Sequence, residues 1–142
     1  MTHRPQEPHV HDTVTMFVNG QAMSGGELND ALTGARFLGP VRTAPRYRFY
    51  SFHDRFPGLL PAREGGWPVP GEIYEISYGD LREKLLPREP VELELSAIQL
   101  EDGRGSLSMV CRRPPAAGPG IHEITAPGGW RAHLAASAPR EA

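Results

Sequence analysis

The block from Val69 to Leu100 constrains this chain more than any other stretch. It reads V-P-G-E-I-Y-E-I-S-Y-G-D-L-R-E-K-L-L-P-R-E-P-V-E-L-E-L-S-A-I-Q-L. Its first part, with Val69, Gly71, Ile73, Tyr74 and Ile76, carries the period-two apolar pattern of a half-buried strand. A short helical run follows from Asp80 to Leu86 and is stopped by Pro87. Val91, Leu93, Leu95, Ala97, Ile98 and Leu100 then restore the strand pattern up to the turn at Asp102-Gly103. Strand, helix and strand therefore follow within one block. The same block holds Glu72, Glu75, Glu83, Glu89, Glu92 and Glu94, so acid–base chemistry is expected to border it.

A chain of 142 residues fits a single domain with a substantial core. Fifteen basic and 17 acidic residues leave a net charge of -2, which excludes the basic face that nucleic-acid binding needs. The single cysteine, Cys111, excludes an internal disulfide framework and fits a reducing compartment. The sequence holds no apolar run of transmembrane length, and its first residues lack the apolar core of a secretory signal. A cytoplasmic location is the expectation, with no membrane partner. Sixteen Gly and 15 Pro suit short strands joined by turns.

Residues 1–12 read as a flexible polar tail. His3, His9 and His11 lie there, but no third ligand stands near enough in sequence for a metal site. Thr13 to Val18 is the first strand. It runs into Asn19-Gly20-Gln21-Ala22-Met23-Ser24-Gly25-Gly26, for which two readings stand. A small-residue loop presents backbone N–H groups that cradle a carboxylate or carbonyl; equally, it is a turn before a short helix from Glu27 to Leu32. The loop lacks the Gly-Lys-Ser/Thr ending of a phosphate-binding loop and the G-x-G-x-x-G pattern, so no nucleotide cofactor is expected.

Phe37-Leu38 and Val41 read as a short extended segment around Gly39-Pro40. Arg46 to Phe52, R-Y-R-F-Y-S-F, is an aromatic-rich strand. Arg46 and Arg48 share a face, where they either clamp a substrate carboxylate or stand as solvated edge charges. Phe56 to Pro61 reads as a turn with apolar anchors. Glu101 to Gly105 has hairpin-turn chemistry, and Ser106 to Cys111 is the returning strand. Residues 112–120 form a linker, after which Ile121, Ile124, Trp130 and Leu134 dock back onto the sheet, with a short helix from Trp130 to Ala136. The domain proper spans 13–111, followed by a linker and docking segment over 112–142. The pattern predicts an α+β fold: five to seven strands in a curled mixed sheet or small barrel, with two or three short helices.

Few residues qualify for chemistry. Ser24, His53 and Asp54 are too generic to argue a catalytic triad. Cys111 lies in an apolar strand, which predicts a buried, inert thiol. No zinc-ligand spacing occurs. A carboxylate remains. Glu89 stands between Pro87 and Pro90 at a helix-to-strand junction, where the two prolines fix the backbone. It is either a rigidly held general acid/base, if burial raises its pKa, or a surface glutamate in a Pro-rich connection.

Five segments together resemble the gamma-glutamylcyclotransferase-like superfamily and, within it, the C-terminal domain of allophanate hydrolase standing alone. They are F-V-N-G-Q-A-M-S-G-G, F-L-G-P-V-R-T-A-P-R-Y-R-F-Y, F-P-G-L-L-P, P-G-E-I-Y-E-I and L-L-P-R-E-P-V-E-L-E-L, spread over residues 14–111. The resemblance implies a small mixed α+β barrel with a pocket beside the first loop. Cyclotransferases carry Y-G-S-L in that loop; here it is Asn19-Gly20-Gln21-Ala22, and only Gly20 matches. Their catalytic glutamate lies in a pattern like L-D-x-x-E-G; here L-L-P-R-E-P places Glu89 at that position without the Asp and Gly. Allophanate hydrolase C-terminal domains resemble G-A-H-L-S-G in the first loop. Here Ala22 stands where their His is found, so the proton donor is lost.

Two functions follow from the resemblance. One is a cyclotransferase-like transferase or hydrolase acting on a small amide or urea-type metabolite. In it Glu89 shuttles the proton, the loop residues Asn19, Gly20, Gln21, Ala22, Met23 and Ser24 bind substrate, and Arg46 or Arg48 pairs its carboxylate, with no cofactor. The other is a non-catalytic assembly or regulatory module that partners an amidase or allophanate-pathway enzyme, or pairs as a homodimer. The position of the Glu89 carboxylate separates them: inside a pocket against the 19–24 loop, or in bulk water.

Overall fold

The computed structural model describes residues 12–116 and 118–137. His3, His9 and His11 lie outside the described residues. The rest forms a curled, half-barrel mixed sheet with two helical segments, an α+β fold. Eight strands are described: β1 (Thr13–Val18), β2 (Arg36–Arg42), β3 (Tyr47–Phe52), β4 (Phe56–Pro61), β5 (Pro70–Ser77), β6 (Leu93–Gln99), β7 (Gly105–Cys111) and β8 (Ile121–Glu123). Their order in the sheet is β2-β5-β1-β7-β4-β3-β8, with β6 also paired to β7.

β7 is where the sheet divides. β6 covers one edge of it along the whole length, from Leu93 opposite Cys111 to Gln99 opposite Gly105. A strand has only two edges, so β1 and β4 must share the other. β1 pairs in parallel at Leu107 and Ser108, and β4 pairs in parallel at Val110. The end of β1 and the start of β4 diverge there, leaving a cleft between them.

Several elements differ from the sequence pattern. Phe56–Pro61, expected as a turn, is the full strand β4. The real turn lies just before it. His53 and Asp54 both have positive φ, 56° and 53°, as the tight turns of β-hairpins require. Neither is the glycine that usually signals such a turn. The strain is offset because Asp54 accepts from the Ser51 hydroxyl at 2.7 Å and contacts His133 Nε2 at 2.7 Å. The helix expected over Glu27 to Leu32 is a single 3-10 turn, Asn29–Leu32. The extended segment near Phe37 is the continuous strand β2, which passes Gly39 through a bulge at φ 124°. The second strand of the central block begins at Leu93, because Pro90 to Leu93 closes a turn through Leu93 N–H to the Pro90 carbonyl at 3.1 Å.

The helical run of the central block changes its winding as it proceeds. The α1 turn (Tyr78–Asp80) is capped by the Ser77 hydroxyl, which accepts from Asp80 N–H. It continues as a π turn over Leu81–Leu85 and a 3-10 turn over Leu86–Arg88. Leu81 and Leu85 bury their side chains and fix the segment to the sheet. Pro90 disfavours helical geometry at the residue before it, and Glu89 is extended, with φ -81° and ψ 145°. The second helix, α2 (Gly129–Ser137), docks through the buried Trp130. β8 pairs with β3, with Ser51 opposite His122.

Met16, Phe17, Phe49, Leu59, Val69, Ile73, Ile76, Leu85, Leu100 and Ile124 are wholly or almost wholly sealed from solvent and form the main core. A smaller cluster of Phe52, Leu93 and Cys111 lies at the β3–β4–β7 end.

Candidate functional site

The cleft opened by the divergence of β1 and β4 is lined by Met16, Phe17 and Val18 of β1 and by Phe56 and Pro57 of β4. Ser108 and Met109 of β7 and Leu93 of β6 close its floor. Asn19, Gly20, Gln21 and Ala22 of the first loop and Glu89 of the helix-to-strand junction complete it. Its interior volume is about 40 Å³. The walls are mostly apolar, and among the described residues no Lys, Arg or His lines it.

Glu89 is half-buried against these walls. Among the described residues, nothing donates a hydrogen bond to its carboxylate. Loss of solvation therefore acts unopposed and pushes its pKa up to about 7, since an apolar surround disfavours the charged form. The rigid extended backbone between Arg88 and Pro90 fixes where this carboxyl sits.

The first loop supplies another part of the lining. In the first loop, every carbonyl from Gly20 to Ser24 is engaged. Gly20 accepts from Met23 N–H at 3.1 Å, Gln21 from Leu28 N–H at 2.9 Å, and Met23 from Gly26 N–H at 2.9 Å. Ala22 accepts from Asn29 Nδ2 at 2.9 Å, and Ser24 from Arg131 Nη2 at 2.6 Å. The N–H groups of Gly20, Gln21 and Ala22 have no acceptor among the described residues. A loop with occupied carbonyls and open N–H groups presents net positive potential to an anion or carbonyl oxygen. Gly20 is required here on steric grounds: a Cβ at that position would lie 2.4 Å from Pro57 Cδ. The Asn19 side-chain amide nitrogen is buried without a partner.

The remaining sequence candidates lie elsewhere. Met23 is buried, and Ser24 turns to the rear of the loop. Arg48 makes a two-pronged pair with Glu123, both contacts 2.6 Å, and neither Arg46 nor Arg48 lines the cleft. The Cys111 thiol is buried, and loss of solvation pushes it up to about 12, so it is inert as a nucleophile. Asp54 sits between Ser51 and His133; in a catalytic triad the histidine would occupy that place.

The sequence reading did not single out Glu72, Tyr74, Asn29 or Arg131, which support the loop from behind. Glu72 is 5% exposed. It accepts from Ser24 N–H and the Ser24 hydroxyl, each at 2.7 Å, from Tyr74 OH at 3.2 Å and from Arg131 Nη2 at 3.3 Å. Burial raises its pKa, but the Ser24, Arg131 and Tyr74 bonds outweigh that and hold the carboxyl below its ordinary value. The signal for Glu72 was its place in a strand buried on both faces, where an ionised group needs partners.

Residues 14–135 match the family described as Allophanate hydrolase C-terminal domain, and the chain belongs to that family. Among solved structures, a protein specific to uropathogenic E. coli is 33% identical with a TM-score of 0.77, covering 87% of this chain and 97% of that one. Allophanate hydrolase of Kluyveromyces lactis is 23% identical with a TM-score of 0.80, covering 89% of this chain and 22% of that one. An aig2-like protein of Mus musculus is 23% identical with a TM-score of 0.55, covering 78% of this chain and 83% of that one. The last two likenesses concern the fold. This chain spans about a fifth of the length of the K. lactis hydrolase. A search of the curated proteins finds no match. No helix among the described residues is long and apolar enough to cross a membrane.

Proposed function

We propose that this protein is a cyclotransferase-like enzyme acting on a small amide or urea-type metabolite, with Glu89 as its general acid/base. The observation that carries this reading is the Glu89 carboxyl, which lines an apolar cleft together with Gly20, Gln21 and Ala22 of the first loop and has its pKa raised to about 7. General acid–base catalysis works best when the pKa lies near the working pH. Glu89 takes the proton from the attacking nitrogen or water and returns it to the leaving nitrogen. The N–H groups of Gly20, Gln21 and Ala22 hold the carbonyl oxygen, where negative charge develops.

The test is a thermal-shift screen with urea, biuret, allophanate, gamma-glutamyl amines and 5-oxoproline. A ligand at 100 times its dissociation constant adds about 2.7 kcal/mol. Stabilisation by urea-type ligands supports the reading, stabilisation by glutamyl compounds alone redirects it to cyclotransfer, and no stabilisation at all removes it.

A non-catalytic module partnering an amidase is the second reading. Two observations favour it: Ala22 supplies no proton donor in the first loop, and Phe37 and Leu38 on the edge strand β2 are 51% and 40% exposed. Exposed apolar residues on a sheet edge suit a protein contact. Phe56, Leu59 and Trp67 add no such patch, because Leu59 is fully buried and the other two are half-buried.

A further inference from the structure

The first loop has a front and a back. Its front faces the Glu89 cleft. Its back faces α2 across a separate hollow of about 220 Å³, lined by Gly20, Met23, Ser24, Trp130, Arg131 and Leu134. Arg131 stands on the first turn of α2, beside the buried anchor Trp130. A single nitrogen of its guanidinium, Nη2, reaches the Ser24 carbonyl at 2.6 Å, the Ser24 hydroxyl at 3.2 Å and Glu72 Oε2 at 3.3 Å. Ser24 in turn gives both its N–H and its hydroxyl to Glu72. Tyr74 ties Glu72 to Asn29, whose amide holds the Ala22 carbonyl. One network therefore runs from α2 through β5 to both ends of the Ala22–Ser24 segment.

We propose that Arg131 is a positioning residue of the Glu89 site: from behind, it holds the first loop in the shape that leaves the Gly20, Gln21 and Ala22 N–H groups open to the cleft. This rests on the enzymatic reading above for its functional consequence, but not for its structural one. The physical reason lies in peptide geometry. The carbonyl of one residue and the N–H of the next share one planar peptide and point in opposite directions, so the bonds accepted by the Gly20 and Gln21 carbonyls set where the Gln21 and Ala22 N–H groups face. Ser24 is the return point of the loop, and its carbonyl has Arg131 as partner. Without that bond Ser24 keeps only its two bonds to Glu72, and the ring of contacts that orders residues 20–24 is weakened at that end.

Two substitutions separate this from a general stability role. Arg131→Ala should raise hydrogen exchange at residues 20–26 at least tenfold while leaving exchange in β3, β6 and β7 unchanged. In the same variant, binding of the urea, biuret and 5-oxoproline probes should weaken roughly 5- to 50-fold, with the pH midpoint set by Glu89 unmoved. Arg131→Lys should restore most of both effects, because all three contacts run through one nitrogen and an ammonium carries enough donors to replace it. Faster exchange spread through the whole sheet, or no change at residues 20–26, overturns the proposal. So does loop loosening without weaker binding. If the wild-type protein binds none of the probes, the enzymatic reading fails by itself; the exchange pattern of Arg131→Ala then still decides whether Arg131 orders the loop.

Discussion

Glu72 and Glu89 stand on opposite sides of one loop, and their fates differ. Both lie in the strand–helix–strand block, and both are largely removed from water. Glu72 receives four hydrogen bonds and is held below the ordinary carboxylate range. Glu89 receives none among the described residues and is pushed up to about 7. Burial alone does not set a carboxylate's role. Where partners surround it, burial makes a permanent anion that organises structure; where they are withheld, it makes a group ready to exchange protons near neutrality. Two carboxylates driven apart in this way are the pattern expected of a working residue and its support under the proposed function.

The largest expected effect comes from removing the unpartnered one. Glu89→Gln should lower turnover of the substrate found by the ligand screen by roughly 10²- to 10⁴-fold, the usual share of general acid–base catalysis, with probe binding retained. Steady-state kinetics at saturating substrate checks this, and unchanged turnover sinks the role of Glu89. Removing the partnered carboxylate should act on the fold instead. Glu72→Ala leaves the Ser24 N–H without its acceptor and should cost about 2–3 kcal/mol in urea denaturation, loosening the loop as Arg131→Ala does.

The pH dependence should split the same way. Glu89 binds its proton more tightly folded than unfolded, so its contribution is intact below about 4.5 and declines as pH rises towards about 7. The loss is roughly 3 kcal/mol by pH 8. Glu89→Gln should therefore be more stable than the wild type at pH 8 and equal to it near pH 4, as thermal melts at the two values would reveal. Glu72, whose pKa is lowered, gives stability that is present above its unfolded value and lost as pH falls through the folded one. In Glu72→Gln that acid-side slope should flatten. The smallest effect belongs to the surface: Arg48→Ala breaks the exposed pair with Glu123 and should cost under about 1 kcal/mol, with ligand affinity unchanged. A large loss of affinity there would restore Arg48 as a substrate contact.

Part of the sheet was legible because period-two alternation reports directly which residues face a core, as in β3 and β7. The misread elements fail for identifiable reasons. β4 carries Pro57, Gly58 and Pro61, residues that usually break strands. It is a strand because β3 and β7 pair with it on either side and because the turn before it accepts His53 and Asp54 at positive φ. The short helix after the first loop was overestimated because Asn29 spends its side chain on the Ala22 carbonyl and on Tyr74, both outside the helix. At the site, the first loop and Glu89 were visible as local patterns of small residues and prolines. Glu72, Tyr74 and Arg131 were not, since their meaning depends on partners 45 to 107 residues away in the chain.

The sequence by itself determined the α+β class, the strand–helix–strand block and the backbone stiffness around Glu89, because these follow from periodicity and from the geometry of proline. Tertiary structure alone decided what the two carboxylates are. Whether a buried glutamate is charged or neutral depends on the donors that reach it. Those donors arrive from the first loop, β5 and α2, which only the folded chain brings together.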